Sequence, residues 1–149
     1  MRTSCRFAMA VHVLAVLAYK DGDGVTSEFL ARSVNTNPVV IRRLLLALQE
    51  ARLVETRKGA GFGSRLSRSA ARINLGEVFR AVEQDEAFCL PRKKPNQACP
   101  VGHCIQTALA QVFGSALRAL EQDLARTTLA DVLKMVHECC HEPSTTGKA

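Results

Sequence analysis

Residues 25–68 are VTSEFLARSVNTNPVVIRRLLLALQEARLVETRKGAGFGSRLSR, and this stretch decides the fold class. Apolar residues recur at helical spacing on both sides of a short polar break, Asn35-Thr36-Asn37. Asn37 can cap a helix, and Pro38 suits the first position after that cap. Two short helices joined by such a tight break predict a helix-turn-helix.

The end of the same stretch predicts a β-hairpin that would form a wing. Residues 53–58, LVETRK, alternate and are rich in β-formers, and residues 64–68, SRLSR, can return antiparallel. Gly59, Gly61 and Gly63 permit the tight connection between them. The order of elements is therefore that of a winged helix-turn-helix.

The positive charge of the chain lies in the same half as this module. Residues 1–72 carry 12 Lys and Arg against 5 Asp and Glu, whereas residues 73–149 carry 8 against 9. No acid occurs between Thr56 and Gly76, where five basic residues do. A chain of formal charge +6 whose charge is concentrated in this way favours a polyanionic partner, here double-stranded DNA.

The candidate DNA contacts follow from how such a module docks. A recognition helix places its N-terminal side chains in the major groove, where Arg can bind guanine or phosphate. A basic wing can clamp phosphates or enter a minor groove. Taken alone, the pair Arg42-Arg43 is more typical of a solvated helix face than of a DNA contact. Together with the turn, the proline at the helix start and the basic wing, the pair favours DNA binding. The predicted DNA-binding residues are Ser27, Asn37, Val39, Arg42, Arg43, Arg57, Lys58, Ser64 and Arg65, with Arg68 directly after the hairpin.

The remaining patterns predict a mostly α fold with a small two-stranded β wing, followed by a long helix. Apolar spacing predicts helices over residues 4–20 and from about residue 104, while Asn74 and Glu77 form a capping pair that opens another. Thr128 and Asp131 open a last helix. The expected organisation is a winged helix-turn-helix domain (1–84), a cysteine-containing sensor loop (85–103), a dimerisation helix with a C-terminal helix (104–141) and a disordered tail (142–149).

Several function classes are disfavoured. No apolar run reaches the ~20 residues of a membrane span, and no cleavage site follows the first apolar stretch, so we expect a cytoplasmic protein without a membrane partner. The chain has no P-loop, dinucleotide fingerprint, HExxH or nucleophile elbow, so we expect no enzyme. Six cysteines in a reducing compartment favour thiols, metal ligands or redox sensors over disulfides.

The cysteines after the wing form the second candidate site. Cys89, Cys99 and Cys104 are spaced C-x9-C-x4-C, and thiolates so placed can converge on a soft metal or an iron–sulfur cluster. A thiol redox switch, a zinc ion completed by His103, and idle thiols are the other interpretations. His137, Cys140 and His141 also share a helical face and could chelate metal. Because they lie at the end of the last predicted helix, which we expect to fray, we predict no metal site there.

The whole chain resembles a known family. The segments SCRFAMAVHVLAVLA, SVNTNPVVIRRLL, LVETRKGAGFGSRLSR, NLGEVFRAVE and CPVGHCIQTALAQVF, with the later RTTLADVL, are similar to those of the IscR/NsrR/CymR regulators of bacteria, the Rrf family. The resemblance covers roughly residues 1–136. It implies a homodimeric winged-helix transcription factor. Its two winged helix-turn-helix domains, here called the heads, would bind the half-sites of a palindromic operator about one DNA turn, roughly 34 Å, apart.

The resemblance also implies where the dimer forms. In the family, the long helix after the cysteine loop supplies most of the interface, and here that helix is about Ile105–Arg126. By this resemblance, the residues expected at the dimer interface are Ile105, Leu109, Val112, Phe113, Leu117, Leu120 and Leu124.

For the cysteines, the resemblance is compatible with two kinds of family member, which differ in how they sense their signal. Members that hold an iron–sulfur cluster have three cysteines here, but this chain has a longer first gap and Thr107 where a histidine ligand is expected. Cys5, His12 and His103 are the remaining candidates for a fourth ligand. The CPVG run around Cys99 is closer to members that sense by cysteine oxidation or through a partner protein. The alternative function is a winged-helix adaptor that docks proteins and binds no DNA.

Overall fold

The computed structural model describes residues 5–59, 62–83 and 88–141, and these form a mostly α fold with one small sheet. The helices are α1 (Arg6–Tyr19), α2 (Ser27–Val34), α3 (Pro38–Glu50), α4 (Leu75–Val82), α5 (Pro100–Leu124) and α6 (Leu129–His141). The strands are β1 (Val54–Thr56) and β2 (Ser64–Leu66), and a 3₁₀ turn spans Ala70–Arg72. The predicted fold class, helices with a two-stranded wing, is confirmed.

The turn between α2 and α3 is built from asparagines. Asn35 ends α2 in the left-handed conformation, with φ 60° and ψ 53°, which Asn tolerates better than most residues. Asn37 then caps α3, because its side-chain oxygen accepts a hydrogen bond of 2.8 Å from the backbone N–H of Val39. Pro38 occupies the first turn of α3, where its missing N–H costs nothing. These local preferences set the three-residue turn of a helix-turn-helix.

The core lies between α1, α2, α3 and α4, with the start of α6 closing one side. In α1 and α3 the buried residues recur at i, i+3, i+4 and i+7 spacing, so one stripe of each of these helices is removed from water. The largest fully buried side chains are Leu14, Leu17, Leu30, Ile41, Leu44, Leu48, Leu53, Ile73 and Leu129. This aliphatic core fixes α3 against α2 and thereby fixes which side of α3 faces solvent.

The wing is antiparallel and attached to the head by a second strand-like contact. Val54 pairs with Leu66, Glu55 with Arg65 and Thr56 with Ser64. Ser64 also exchanges two backbone hydrogen bonds of 2.9 Å with Val25, in the segment before α2. The hairpin is therefore held to the segment before α2 at Ser64, the end of β2 nearest the connecting loop.

Close backbone approach at this attachment requires glycine. A Cβ atom on Gly63 would lie 2.6 Å from the carbonyl oxygen of Val25, a distance that Cβ atoms do not adopt. We expect Gly63→Ala to lower the free energy of unfolding by about 1–3 kcal/mol, because the contacting atoms are backbone and cannot rotate away. Urea denaturation at fixed protein concentration measures the change.

Gly114 in α5 provides the matched control. A Cβ there would meet only the flexible end of Arg118, at 3.5 Å, and Ala is the better helix former. Gly114→Ala should therefore raise the free energy of unfolding by up to about 1 kcal/mol. Equal losses from both replacements would contradict the proposed backbone clash.

Hydrogen bonds at the start of α4 attach the second half of the chain to the winged helix-turn-helix. Asn74 and Glu77 form the predicted capping box, with the Asn74 side chain accepting from the Glu77 N–H at 3.0 Å. The N–H of Leu75 donates to Thr127 at 2.9 Å, and that of Leu129 donates to Ile73 at 2.8 Å. These bonds attach the α5–α6 connection to the start of α4.

One segment boundary differs from the sequence prediction. α5 begins at Pro100, so the last four residues of the predicted 85–103 loop are helical, because Pro suits a first helical turn. The predicted tail, 142–149, lies outside the described residues. Within the described part of the chain, no helix has both the length and the apolar character needed to cross a membrane.

Candidate DNA-binding surface and cysteine region

The N-terminal half of α3 presents the side chains that a recognition helix needs. Ile41 and Leu44 are buried, so the opposite side of the helix points to solvent. On that side Val39 is 48% exposed, and Arg42 and Arg43 are exposed as well. One apolar contact and two guanidinium groups are thus available at the position where such helices meet base edges.

Arg42 is paired with an acid that the sequence analysis did not single out. Its guanidinium donates to the Glu28 carboxylate at 2.6 Å, and both side chains are more than half exposed. The backbone N–H of Glu28 at the start of α2, helped by Arg42, holds the pKa of this carboxyl below its ordinary value. Glu28 therefore stays ionised and competes with DNA for Arg42. The separation of 14 residues hides this pair from any local pattern.

Replacing Glu28 by Gln tests this competition. Removing one negative charge from the predicted DNA face should tighten binding to non-specific duplex at low salt, on the order of a few-fold, because Arg42 is released for phosphate. Fluorescence anisotropy with a random-sequence duplex measures the effect. Glu50→Gln, at the other end of α3, is the matched charge control and should change the affinity less. Weaker binding by Glu28→Gln would show that the carboxylate positions Arg42 and does not compete for it.

The wing carries exposed cations near its tip. Arg57 and Lys58 follow β1 and are exposed, and the described part of the chain shows no ion pair for either one. Arg65 is 39% exposed and bonds Glu55 across the strands at 3.1 Å. Arg57 and Lys58 are thus better placed for phosphate than Arg65, whose charge is partly compensated.

Ser64 was wrongly predicted as a DNA contact. It is only 2% exposed, its hydroxyl lies 3.0 Å from that of Thr56, and its backbone bonds Val25. The inward position follows from the strand alternation, which points Ser64 and Arg65 to opposite faces.

Three other predicted contacts are partly or fully engaged within the fold. Arg68 is bound to Glu77 at 2.6 Å and joins the end of the wing to α4. The Asn37 side chain is used as the helix cap, although it remains exposed. Ser27 is half-buried at the start of α2. The predicted contacts that remain exposed are therefore fewer than the predicted set: Val39, Arg42, Arg43, Arg57, Lys58 and part of Arg65. Of these, Arg42 and Arg65 are paired with acids.

The long helix α5 has an apolar side that nothing in the described chain covers. None of its 25 residues is buried. One row contains only exposed residues, Val101, Ala108, Val112 and Ala119, of which Val101 is 67% and Val112 60% exposed. At 100° per residue, these four lie within about 40° of one another and span about 27 Å of helix. We call this row the α5 seam.

The predicted dimerisation residues divide between the seam and the opposite side of α5. Val112 lies on the seam, Leu120 is 38% exposed beside it, and Ile105 and Leu109 are half-buried. Phe113 instead stacks on Phe88 of its own chain, with ring centroids 4.9 Å apart. Leu117 and Leu124 are half-buried on the side that carries Glu121, whose backbone approaches α4 at Gly76.

All three cysteines of the predicted sensor are accessible thiols. Cys89, Cys99 and Cys104 are exposed and unbonded to other cysteines. Cys99 is the N-terminal cap residue of α5, but its side chain makes no capping hydrogen bond. The segment before α5 is held on the helix, because Gln106 donates to the Pro91 carbonyl at 3.1 Å.

The described residues contain no group of three or more His, Cys, Asp or Glu arranged to hold a metal ion. Cys99 caps α5 in an extended conformation, and Cys104 lies within the helix. Of the candidate fourth ligands, Cys5 and His103 are exposed, and His12 lies 3.1 Å from the Ser33 hydroxyl. As folded, the three cysteines do not form a ligand set within one chain.

Comparison with known proteins agrees with the geometry. Residues 3–135 match the family Rrf2, described as iron-dependent transcriptional regulators. The chain is 41% identical over 128 residues to YwnA of Bacillus subtilis, which carries the name of an HTH-type transcriptional regulator; the match covers 86% of this chain and 94% of YwnA.

Two solved structures share the fold. The structure of T. potens IscR superposes with a TM-score of 0.69 at 21% identity, covering 97% of this chain and 94% of that one. The structure of CymR, the global cysteine regulator of B. subtilis, superposes with a TM-score of 0.64 at 20% identity, covering 91% and 98%.

Proposed function

Because this chain belongs to the Rrf2 family of transcriptional regulators, we propose that it regulates transcription as a homodimer that binds double-stranded DNA through its winged helix-turn-helix. The resemblance inferred from the sequence is thereby confirmed, and the family is one of regulators and not of enzymes. The observation that carries the DNA proposal is the solvent side of α3, with Val39, Arg42 and Arg43 exposed above a buried aliphatic face.

The α5 seam supports the dimer. A row of exposed Val and Ala about 27 Å long has small side chains that allow a second helix to approach closely. Pairing two copies of α5 about a twofold axis would bury this row and place the two heads on one side. Two heads so arranged would bind a palindromic operator with half-sites about 34 Å apart. Such a protein would work in the cytoplasm, where bacterial DNA lies.

We assign the regulatory signal to the thiols and not to an iron–sulfur cluster. The long first gap between the cysteines, and the lack of a metal-holding group among the described residues, do not support a cluster held by three cysteines of one chain. The same geometry disfavours the zinc interpretation with His103. Exposure of all three thiols does fit oxidation by a hydroperoxide.

Each of the three cysteines is a free, exposed thiol. We therefore propose oxidation of one thiol at a time. The hydroperoxide O–O bond breaks, one oxygen is transferred to sulfur to give a sulfenic acid, and water or an alcohol leaves. A second thiol, from a small molecule or from the partner subunit, then displaces water to form a disulfide.

The oxidation can be coupled to DNA binding because Cys99 and Cys104 lie on α5. An adduct there would alter the packing of the paired helices and the spacing of the heads. Typical allosteric coupling of about 1–3 kcal/mol corresponds to a change of about 5–150-fold in operator affinity.

We expect hydrogen peroxide to weaken operator binding by about 5–150-fold in the native protein and to leave it unchanged in Cys89→Ser/Cys99→Ser/Cys104→Ser. Gel-shift titration before and after oxidation, followed by reduction with a dithiol, measures the response. Cys139→Ser/Cys140→Ser is the matched control and should respond like the native protein. A response that survives the triple replacement, or an anaerobically purified protein with stoichiometric iron, would contradict the thiol assignment.

The DNA assignment has its own test. Selection from a random duplex library should recover an inverted repeat, and the affinity for it should fall steeply as salt rises from 50 to about 200 mM because counterions are released. A protein that retains no duplex at low salt would instead favour the adaptor function.

A further inference from the structure

The end of α6 carries two imidazoles that the DNA and thiol proposals do not use. His137 and His141 are four positions apart and both exposed, and their ring centroids are 4.1 Å from each other. α6 extends to His141, its last residue, so the pair occupies the final turn of the helix, which the sequence predicted to fray. Two histidines at i and i+4 on one helical face are a recurrent chelating arrangement for transition metals.

The second histidine is already oriented as a ligand. Nδ1 of His141 lies 2.8 Å from the carbonyl oxygen of His137. A carbonyl oxygen only accepts hydrogen bonds, so Nδ1 carries the proton and donates it. The neutral ring then has its free lone pair on Nε2, which is the form that binds metal. A backbone carbonyl behind the ring is the usual outer partner of a metal-bound histidine.

The position on the helix favours a cation. The last turn of a helix exposes carbonyl groups and bears the negative end of the helix dipole. Lys134 precedes the pair in sequence and Glu138 lies between its two members, so these two side-chain charges cancel and do not oppose this field. Because no third ligand is gathered there among the described residues, water must complete the coordination.

We propose that His137 and His141 form a surface chelate for a divalent transition-metal ion of the imidazole-preferring class, Ni²⁺, Cu²⁺ or Zn²⁺. Both side chains bind through ring nitrogen. The site is separate from Cys89, Cys99 and Cys104, and its occupation should stabilise the last turn of α6. It does not depend on the DNA or thiol proposals.

Calorimetric titration of the full-length protein with Ni²⁺, with thiols kept reduced, tests the site. Loss of outer-shell partners alone weakens metal sites by about 10–100-fold, so His137→Ala and His141→Ala should each weaken Ni²⁺ binding at least about tenfold. His103→Ala, beside the cysteine region, is the matched control and should bind like the native protein. Ala is the better helix former, so both replacements should keep α6 folded.

Thermal unfolding gives an independent measurement. Ni²⁺ should raise the melting temperature of the native protein and of Cys140→Ser, and should not raise that of the two histidine variants. Operator binding without metal should be the same in all of them. The proposal is overturned if the histidine variants keep the native affinity, or if Cys140→Ser abolishes binding while they do not.

Discussion

Replacing Val112 by Asp should convert the protein to a monomer and weaken operator binding by about 10²–10⁴-fold. Val112 is 60% exposed at the centre of the α5 seam, so the new charge costs little in an isolated chain. At a helix–helix interface the same carboxylate would be buried without a partner, which is strongly unfavourable. A monomer loses the effective concentration that links two heads on one operator, and this accounts for the expected size of the effect.

Gln111→Asp is the matched control for this experiment. Gln111 is the neighbouring exposed residue and points about 100° away from Val112 around the helix, so the same charge is added outside the seam. Analytical ultracentrifugation and gel-shift titration should show a native-like dimer for Gln111→Asp. A Val112→Asp protein that remains dimeric with native affinity would place the interface elsewhere on the chain.

Replacing Arg43 by Ala should weaken specific operator binding by about 5–150-fold for each half-site. Arg43 is exposed on the recognition side of α3, and a bidentate contact from Arg to guanine is worth about 1–3 kcal/mol of discrimination. Because two subunits bind, the loss applies at both half-sites. The preference for one base pair should relax, which sequencing of selected duplexes measures directly.

The wing variant Arg57→Ala/Lys58→Ala distinguishes base contact from phosphate contact. Loss of two phosphate contacts from each of the two subunits should weaken binding to all sequences alike and should reduce the slope of log affinity against log salt by roughly four. If Arg43→Ala behaves in this way and leaves base preference intact, Arg43 binds phosphate. If neither variant affects binding, the DNA-binding surface lies elsewhere.

The local chemistry of the sequence determined the fold class. Asn37 and Pro38 specify a helix start, Asn74 and Glu77 specify a capping box, and the glycines of the wing permit a hairpin. These signals act within a few residues, so the chain order alone reveals them. The asymmetric charge then indicated a polyanion, and the family resemblance supplied the dimer.

The tertiary structure decided which of the predicted residues are available. Ser64 is removed from solvent because the wing pairs with Val25, nearly 40 residues earlier in the chain. Arg42 meets Glu28, and Arg68 meets Glu77, across distances that no periodic pattern encodes.

The sequence thus determined the helices, the wing and the sign of the charge, because these depend on neighbours in the chain. The tertiary structure alone decided which cations are paired with acids, which side of α5 the described residues leave uncovered and that the cysteines are exposed. Those properties depend on packing between distant segments, and apolar spacing marks a face as apolar without saying what covers it.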